Sequence, residues 1–316
     1  MSLNRPIWKL RKWIDKEKLD WDNLCLNENA INLLEENPEK INWNILSINK
    51  GAIKQLERNV DKINWSYLSE NEYAIKLLEE NPEKIDWKAL SSNNNAIHLL
   101  NKNKDKIDWL VLSYNENAIK ILEENKEKIN WNLLSYNNNA IEILKKYPEK
   151  INWGNLSENY NAIELLEKNQ EKINWEYLSI NKNAIELLEK NPEKINWDLL
   201  SLNENAIHLI KINLDKIDWT SLSRNKNAIE LFMKYPDKLN WNLLSSNIYA
   251  IDILKEYPEY INWSNISSNP SIFELDYDKM RKNNEEMYEE LIKEVMKPIR
   301  VFKNPEYDYL EELFGD

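Results

Sequence analysis

The sequence predicts an all-α protein: an α-helical solenoid of about twelve 22-residue two-helix repeats with helical N- and C-terminal caps. Two observations carry this. Trp recurs at a fixed interval, at Trp21, Trp43, Trp65, Trp87, Trp109, Trp131, Trp153, Trp175, Trp197, Trp219, Trp241 and Trp263. Between successive Trp residues the apolar positions fall at helical spacing and do not alternate. A constant period of this length marks a repeat architecture, in which each unit buries its apolar face only against its neighbours. The chain divides into an N-terminal cap (1–18), the array (19–273) and a C-terminal helical capping segment (274–316).

Residues 181–202 show how one unit is specified. Asn181 has a counterpart in every copy and reads as an N-cap. A first helix is expected from Lys182 to about Lys190, with Ala184, Ile185, Leu187 and Leu188 on one stripe and Glu186, Glu189 and Lys190 facing water. Asn191-Pro192 ends it, because a residue before Pro avoids helical geometry. Glu193-Lys194 belongs to a tight turn. Asn196, which is Asn or Asp in all copies, caps a second short helix from Trp197 to about Leu202 that turns Trp197 and Leu200 inward. Helices this short are marginal alone and need stacking. An open stack of such layers would be on the order of 100 Å long. A leucine-rich repeat is the rival architecture at this period. The phase opposes it: Leu46-Ser47-Ile48-Asn49 is followed by Lys50 and Gly51 where an apolar residue is required. The large indoles need partners for their N–H groups, and the recurring Ser and Asn positions are candidates.

The ends depart from the repeat. Trp8 and Trp13 suggest a degenerate first helix acting as a cap. Beyond Asn269 a longer helix is expected from about Asp278 to Met296, stopped by Pro298, with a last helix after Asn304-Pro305. Charge differs between the ends. The start carries Arg5, Lys9, Arg11, Lys12, Lys16 and Lys18 against two acids, whereas the chain from Glu274 onward has thirteen acids and seven bases.

Composition excludes several function classes. The net charge is −12 with both signs interleaved, which argues against a nucleic-acid backbone as partner. One cysteine, Cys25, permits no intrachain disulfide and fits a reducing compartment. No apolar run is long enough for a membrane span, and the opening residues lack an apolar signal core, so a cytoplasmic protein is expected. His98 and His208 lie five periods apart and cannot share a metal. No thiol pair, zinc-protease or phosphate-loop motif is present. Catalytic residues, metal and cofactor are therefore none, and the chain is not expected to be an enzyme.

One position varies while its neighbours stay fixed. After the recurring Ser the sequence places Leu26, Ile48, Glu70, Ser92, Tyr114, Tyr136, Glu158, Ile180, Leu202, Arg224, Ser246 and Ser268. Tyr114 with Tyr136, and Ile180 with Leu202, would form adjacent apolar pairs along one edge. Leu26, Ile48, Tyr114, Tyr136, Ile180, Leu202 and Arg224 are accordingly the candidate partner-binding edge.

The string from Asn183-Ala184-Ile185 through Lys194-Ile195-Asn196-Trp197 to Leu200-Ser201 resembles the tandem Asn/Trp repeats of proteins encoded in large numbers by giant DNA viruses of the mimivirus group. The resemblance covers residues 19–273. From Phe273-Glu274 to Arg300 the chain looks like the ending of those proteins, with Lys297 where a His often precedes Pro-x-Arg. The resemblance implies a viral source and no assigned reaction. The expected function is a non-enzymatic scaffold presenting an extended surface to a protein partner, in the host cytoplasm or virus factory. The alternative is a self-associating structural or assembly component of a virus particle.

Overall fold

The computed structural model describes residues 6–295, so the helix expected after Asn304-Pro305 lies outside the described residues. Around Trp197 the chain forms an outer helix Ile185–Glu189, a 3-10 turn Pro192–Lys194 and an inner helix Trp197–Leu200. Asn196 caps the inner helix, its side-chain oxygen accepting from the Leu199 N–H at 3.0 Å. The outer helix starts three residues later than the Asn cap predicts. Asn181 uses its side-chain oxygen on the N–H of Asn183 (3.0 Å), which folds residues 181–184 into a turn. Each repeat is counted here from its Trp, so repeat 1 opens at Trp21 and repeat 12 at Trp263.

The core is aliphatic. Ala184, Leu187, Leu188, Leu200 and most of their counterparts are buried between successive repeats, with Leu33, Leu165 and Leu209 half-buried. The twelve indoles are only partly buried, a correction to the expectation that they are shielded from solvent. One face of most of them is covered by the Lys of the 3-10 turn that closes the same repeat, as with Lys40 over Trp21 at 4.3 Å and Lys194 over Trp175 at 4.3 Å. This is cation–π geometry, and the lysine stem adds apolar cover. Tyr260 stands in the Lys position after Trp241 and stacks on that indole at 4.9 Å.

The recurring Ser and Asn do not serve the indoles but join backbones. Ser135 Oγ donates to the Trp131 carbonyl (2.8 Å) and accepts from the N–H of Asn152, the cap of the next inner helix (3.0 Å). Asn137 Nδ2 donates to the carbonyls of Ser113 (3.3 Å) and Asn115 (3.0 Å) in the previous repeat. Both side chains are buried, so their groups must be satisfied within the protein.

These same bonds run from the last repeat to the first. The Asp20 N–H donates to Ser267 Oγ (2.9 Å), Asn27 Nδ2 donates to the carbonyls of Ser267 and Asn269 (3.0 Å each), and Lys18 lies over Trp263 at 5.1 Å. The helices Trp21–Leu26 and Trp263–Ser267 pack on each other. The array is therefore a closed ring and not the open stack expected, turning roughly 30° per repeat.

Closure is achieved by splitting one unit. Repeat 12 has an inner helix but no outer helix; after the 3-10 turn Pro270–Ile272 its chain becomes strand β2, Phe273–Leu275. The N-terminus supplies strand β1, Trp8–Leu10, and the 3-10 turn Lys16–Lys18 that leads into repeat 1. The strands pair antiparallel with Trp8 opposite Leu275 and Leu10 opposite Phe273. The N-terminal segment is thus not a helical cap. It completes the unit that the C-terminal side leaves unfinished. The basic start and acidic end meet here: Lys9 pairs with Asp276 and Arg11 with Glu274, both at 3.7 Å, and Arg11 Nε donates to the Ser271 carbonyl (2.8 Å). A helix Tyr277–Val295 follows, close to the expected bounds.

Candidate protein-binding lumen

Consecutive Trp-led helices pack directly on one another around the ring, whereas consecutive outer helices stand further apart. The closer set must lie at the smaller radius. Twelve helices at roughly 8–10 Å spacing, each about 10 Å across with side chains, leave a central opening on the order of 20 Å wide.

The residues that face this opening follow from helix geometry. In each inner helix the Leu and Ser three and four places after Trp are buried outward, so the positions one, two and five places after Trp point to the axis. The fifth place is the variable position singled out in the sequence. Its exposed members include Leu26 (47% exposed), Tyr114 (59%) and Arg224. Ile48, Tyr136, Ile180 and Leu202 are half-buried. The expected edge is therefore a band around the inside of a ring.

Titration behaviour reports how far these side chains converge. Burial raises the Tyr136 phenol above its ordinary range, with smaller contributions from Glu158, Tyr177 and Tyr114. Burial likewise raises Tyr160, followed by Glu158, Tyr114 and Glu204. Several of these partners sit two repeats away, as with Tyr177 for Tyr136 and Glu204 for Tyr160. Glu158 lies among them, half-buried, and burial holds its carboxyl above the usual range. The Tyr177 ring from the next repeat packs beside Gly154, 3.9 Å from where a Cβ would stand, an ordinary contact distance.

The second place after Trp was not singled out in the sequence, although its signal was present. Across the twelve repeats it holds no charged residue, and eight copies are apolar or aromatic: Ile45, Tyr67, Ala89, Val111, Leu133, Tyr177, Leu199 and Leu243. The outer wall has the opposite character. Long side chains bridge neighbouring outer helices through Lys104–Glu124 and Lys146–Glu123 at 3.0 Å and through Lys211–Glu230. His98 and His208 belong to that wall, bonded to Glu79 and Glu189 at 2.7 Å. Among the described residues no His, Cys, Asp and Glu side chains gather as a metal site would require, and no helix is long and apolar enough to cross a membrane.

Comparison with protein-family models, with curated proteins and with solved structures finds no match to this chain.

Proposed function

We propose that the protein is a non-enzymatic interaction scaffold whose ring receives a helical segment of a protein partner. The observation that carries this is the contrast between the two walls: ion pairs outside, and inside an uncharged, mostly apolar second place beside aliphatic and Tyr side chains at the fifth, with the exposed charges Asp22, Lys88, Glu176 and Asp198 interspersed at the first. Apolar and aromatic side chains that remain accessible on a concave surface supply the desolvated centre of a protein interface. An α-helix with its side chains is about 10–12 Å across and fits the opening. Duplex or single-stranded nucleic acid is disfavoured, because the lining offers few cations to phosphate. The repeat resemblance supports a giant-virus source and action in the infected host's cytoplasm or virus factory.

Ring closure speaks against the alternative of a self-associating assembly unit built end to end. An open array exposes two unpaired repeat faces through which copies propagate, and here those faces are joined to each other.

The test places a photo-crosslinking residue at Tyr136, inside, or at Glu142, on the exposed outer helix Ile141–Lys146. The proposal expects a defined adduct with a cellular or viral protein from Tyr136 only, lost in the Tyr114→Ala background. Equal adducts from both positions, or none from the lumen, refute it.

A further inference from the structure

Repeat 2 breaks the pattern in several places at once. Gln55 stands where every other outer helix carries Leu or Ile, and Gly51 where the other copies carry Asn, Tyr or Ser. Both line one cavity of about 440 Å³ on the outer wall, beside the seam of the ring. That volume is within the range of small-molecule sites.

Gln55 is 5% exposed. Its Nε2 donates to the Ile31 carbonyl at 3.4 Å, while its Oε1 has no hydrogen-bond partner. A buried acceptor left unmatched is costly, and native proteins rarely keep one without a reason. A leucine at this position would avoid that cost, as it does in most of the other repeats.

The cavity has three chemically distinct walls. Repeat 2 contributes Lys50, Lys54 and Arg58; repeat 1 contributes Glu28 and Glu35; the start of the N-terminal strand contributes Ile7 and Trp8. Elsewhere opposite charges on adjacent outer helices close into ion pairs, such as Lys104–Glu124 at 3.0 Å. Here, among the described residues, none joins the two walls, and Lys50 turns to Glu72 of repeat 3 at 3.8 Å. Gly51 keeps the walls in register, because a Cβ there would stand 2.9 Å from the Glu28 carbonyl oxygen.

From the opposed charged walls that no ion pair joins, the Trp8 face and the unmatched Gln55 acceptor, we propose that this cavity binds a zwitterion with an apolar body, a free α-amino acid of the aromatic or large aliphatic class. Its carboxylate meets Lys54 and Arg58. Its ammonium lies toward Glu28 and Glu35 and, once the enclosed Gln55 carboxamide turns toward the cavity, donates to Oε1. Its side chain lies on Trp8. The ligand would touch both the strand that closes the ring and the first two repeats, so occupancy would hold the seam shut.

The test is calorimetric titration and thermal denaturation with L-phenylalanine, using phenethylamine and 3-phenylpropanoate as controls that each lack one charge. Two variants install residues that other repeats already carry and so preserve the fold: Gln55→Leu and Arg58→Glu. The wild-type chain should bind L-phenylalanine saturably and melt at a higher temperature with it, and each control should bind at least roughly tenfold more weakly. Gln55→Leu and Arg58→Glu should each weaken L-phenylalanine by roughly tenfold or more, with melting of the ligand-free protein unchanged or raised. Absence of saturable binding, binding of a single-charge control as tight as the zwitterion, or an unaltered Gln55→Leu affinity overturns the proposal.

Discussion

Asn137 shows how a single side chain couples two repeats. Its amide nitrogen serves two carbonyls of the preceding repeat while its oxygen receives the Asn139 N–H at 3.0 Å. Alanine there leaves buried carbonyls without that donor and removes the local turn bond. Asn137→Ala should therefore lower stability by about 2–4 kcal/mol, seen as a shift of the urea midpoint. An exposed control such as Glu142→Ala should move it little. Cys25 occupies the Ser position of repeat 1, facing the Asn42 N–H, and burial raises its thiol above the ordinary 9.0. The native thiol keeps a proton that the unfolded chain releases. Its contribution to stability is therefore full below the free thiol's range and is lost as pH rises through and beyond it. Two outcomes follow. The native protein should resist thiol reagents at neutral pH, and Cys25→Ser should flatten the fall of stability on the alkaline side, measured by denaturation across pH.

At the scale of elements, the short helices and their turns were legible because each depends on local chemistry repeated many times. Asn196 before Trp197 and Pro192 after Asn191 predict where helices begin and end, and the buried Ala184, Leu187, Leu188 and Leu200 fall on the expected stripe. The two strands were not legible. Each has three residues and no period, and its partner lies more than 260 residues away. The signal that existed was complementary incompleteness. Lys16 to Trp21 repeats the turn-and-helix start of Pro38 to Trp43 with no outer helix before it, and the chain after Asn269 has no outer helix behind it. Deleting residues 1–10 removes β1 and the Lys9–Asp276 ion pair. The expected result is faster amide exchange in the helix Trp263–Ser267 than in the equivalent Trp131–Tyr136, which keeps neighbours on both sides.

For the whole molecule, curvature could not be read from the period, because it depends on the difference between inner and outer packing distances. Small Ser and Asn side chains let the inner helices approach, and Lys–Glu bridges span the wider outer gap. The variable positions were therefore legible as residues, but not their placement on an enclosed wall. Closure makes the chain ends interchangeable with any other turn. Asp276 already donates its N–H to the Ile7 carbonyl at 2.8 Å. Joining Asp276 to Ile7 through a two-residue Asn-Gly turn should convert the split ribbon into a β-hairpin. A circular permutant built this way, lacking residues 1–6 and 277–316 and opening at Lys104, should match the helical signal and scattering-derived radius of the linear chain trimmed to residues 7–276. An expanded, partly unfolded permutant would contradict a closed array.

If the ring receives a guest, as proposed, the split repeat would also govern its traffic. A guest with bulky groups at both ends could neither thread the hole nor slip off it, and would board only while the β1–β2 ribbon is parted. Capture and escape would then share one slow gate. Residence on such a guest would follow how often that ribbon frays, largely independent of how strongly the inner wall grips.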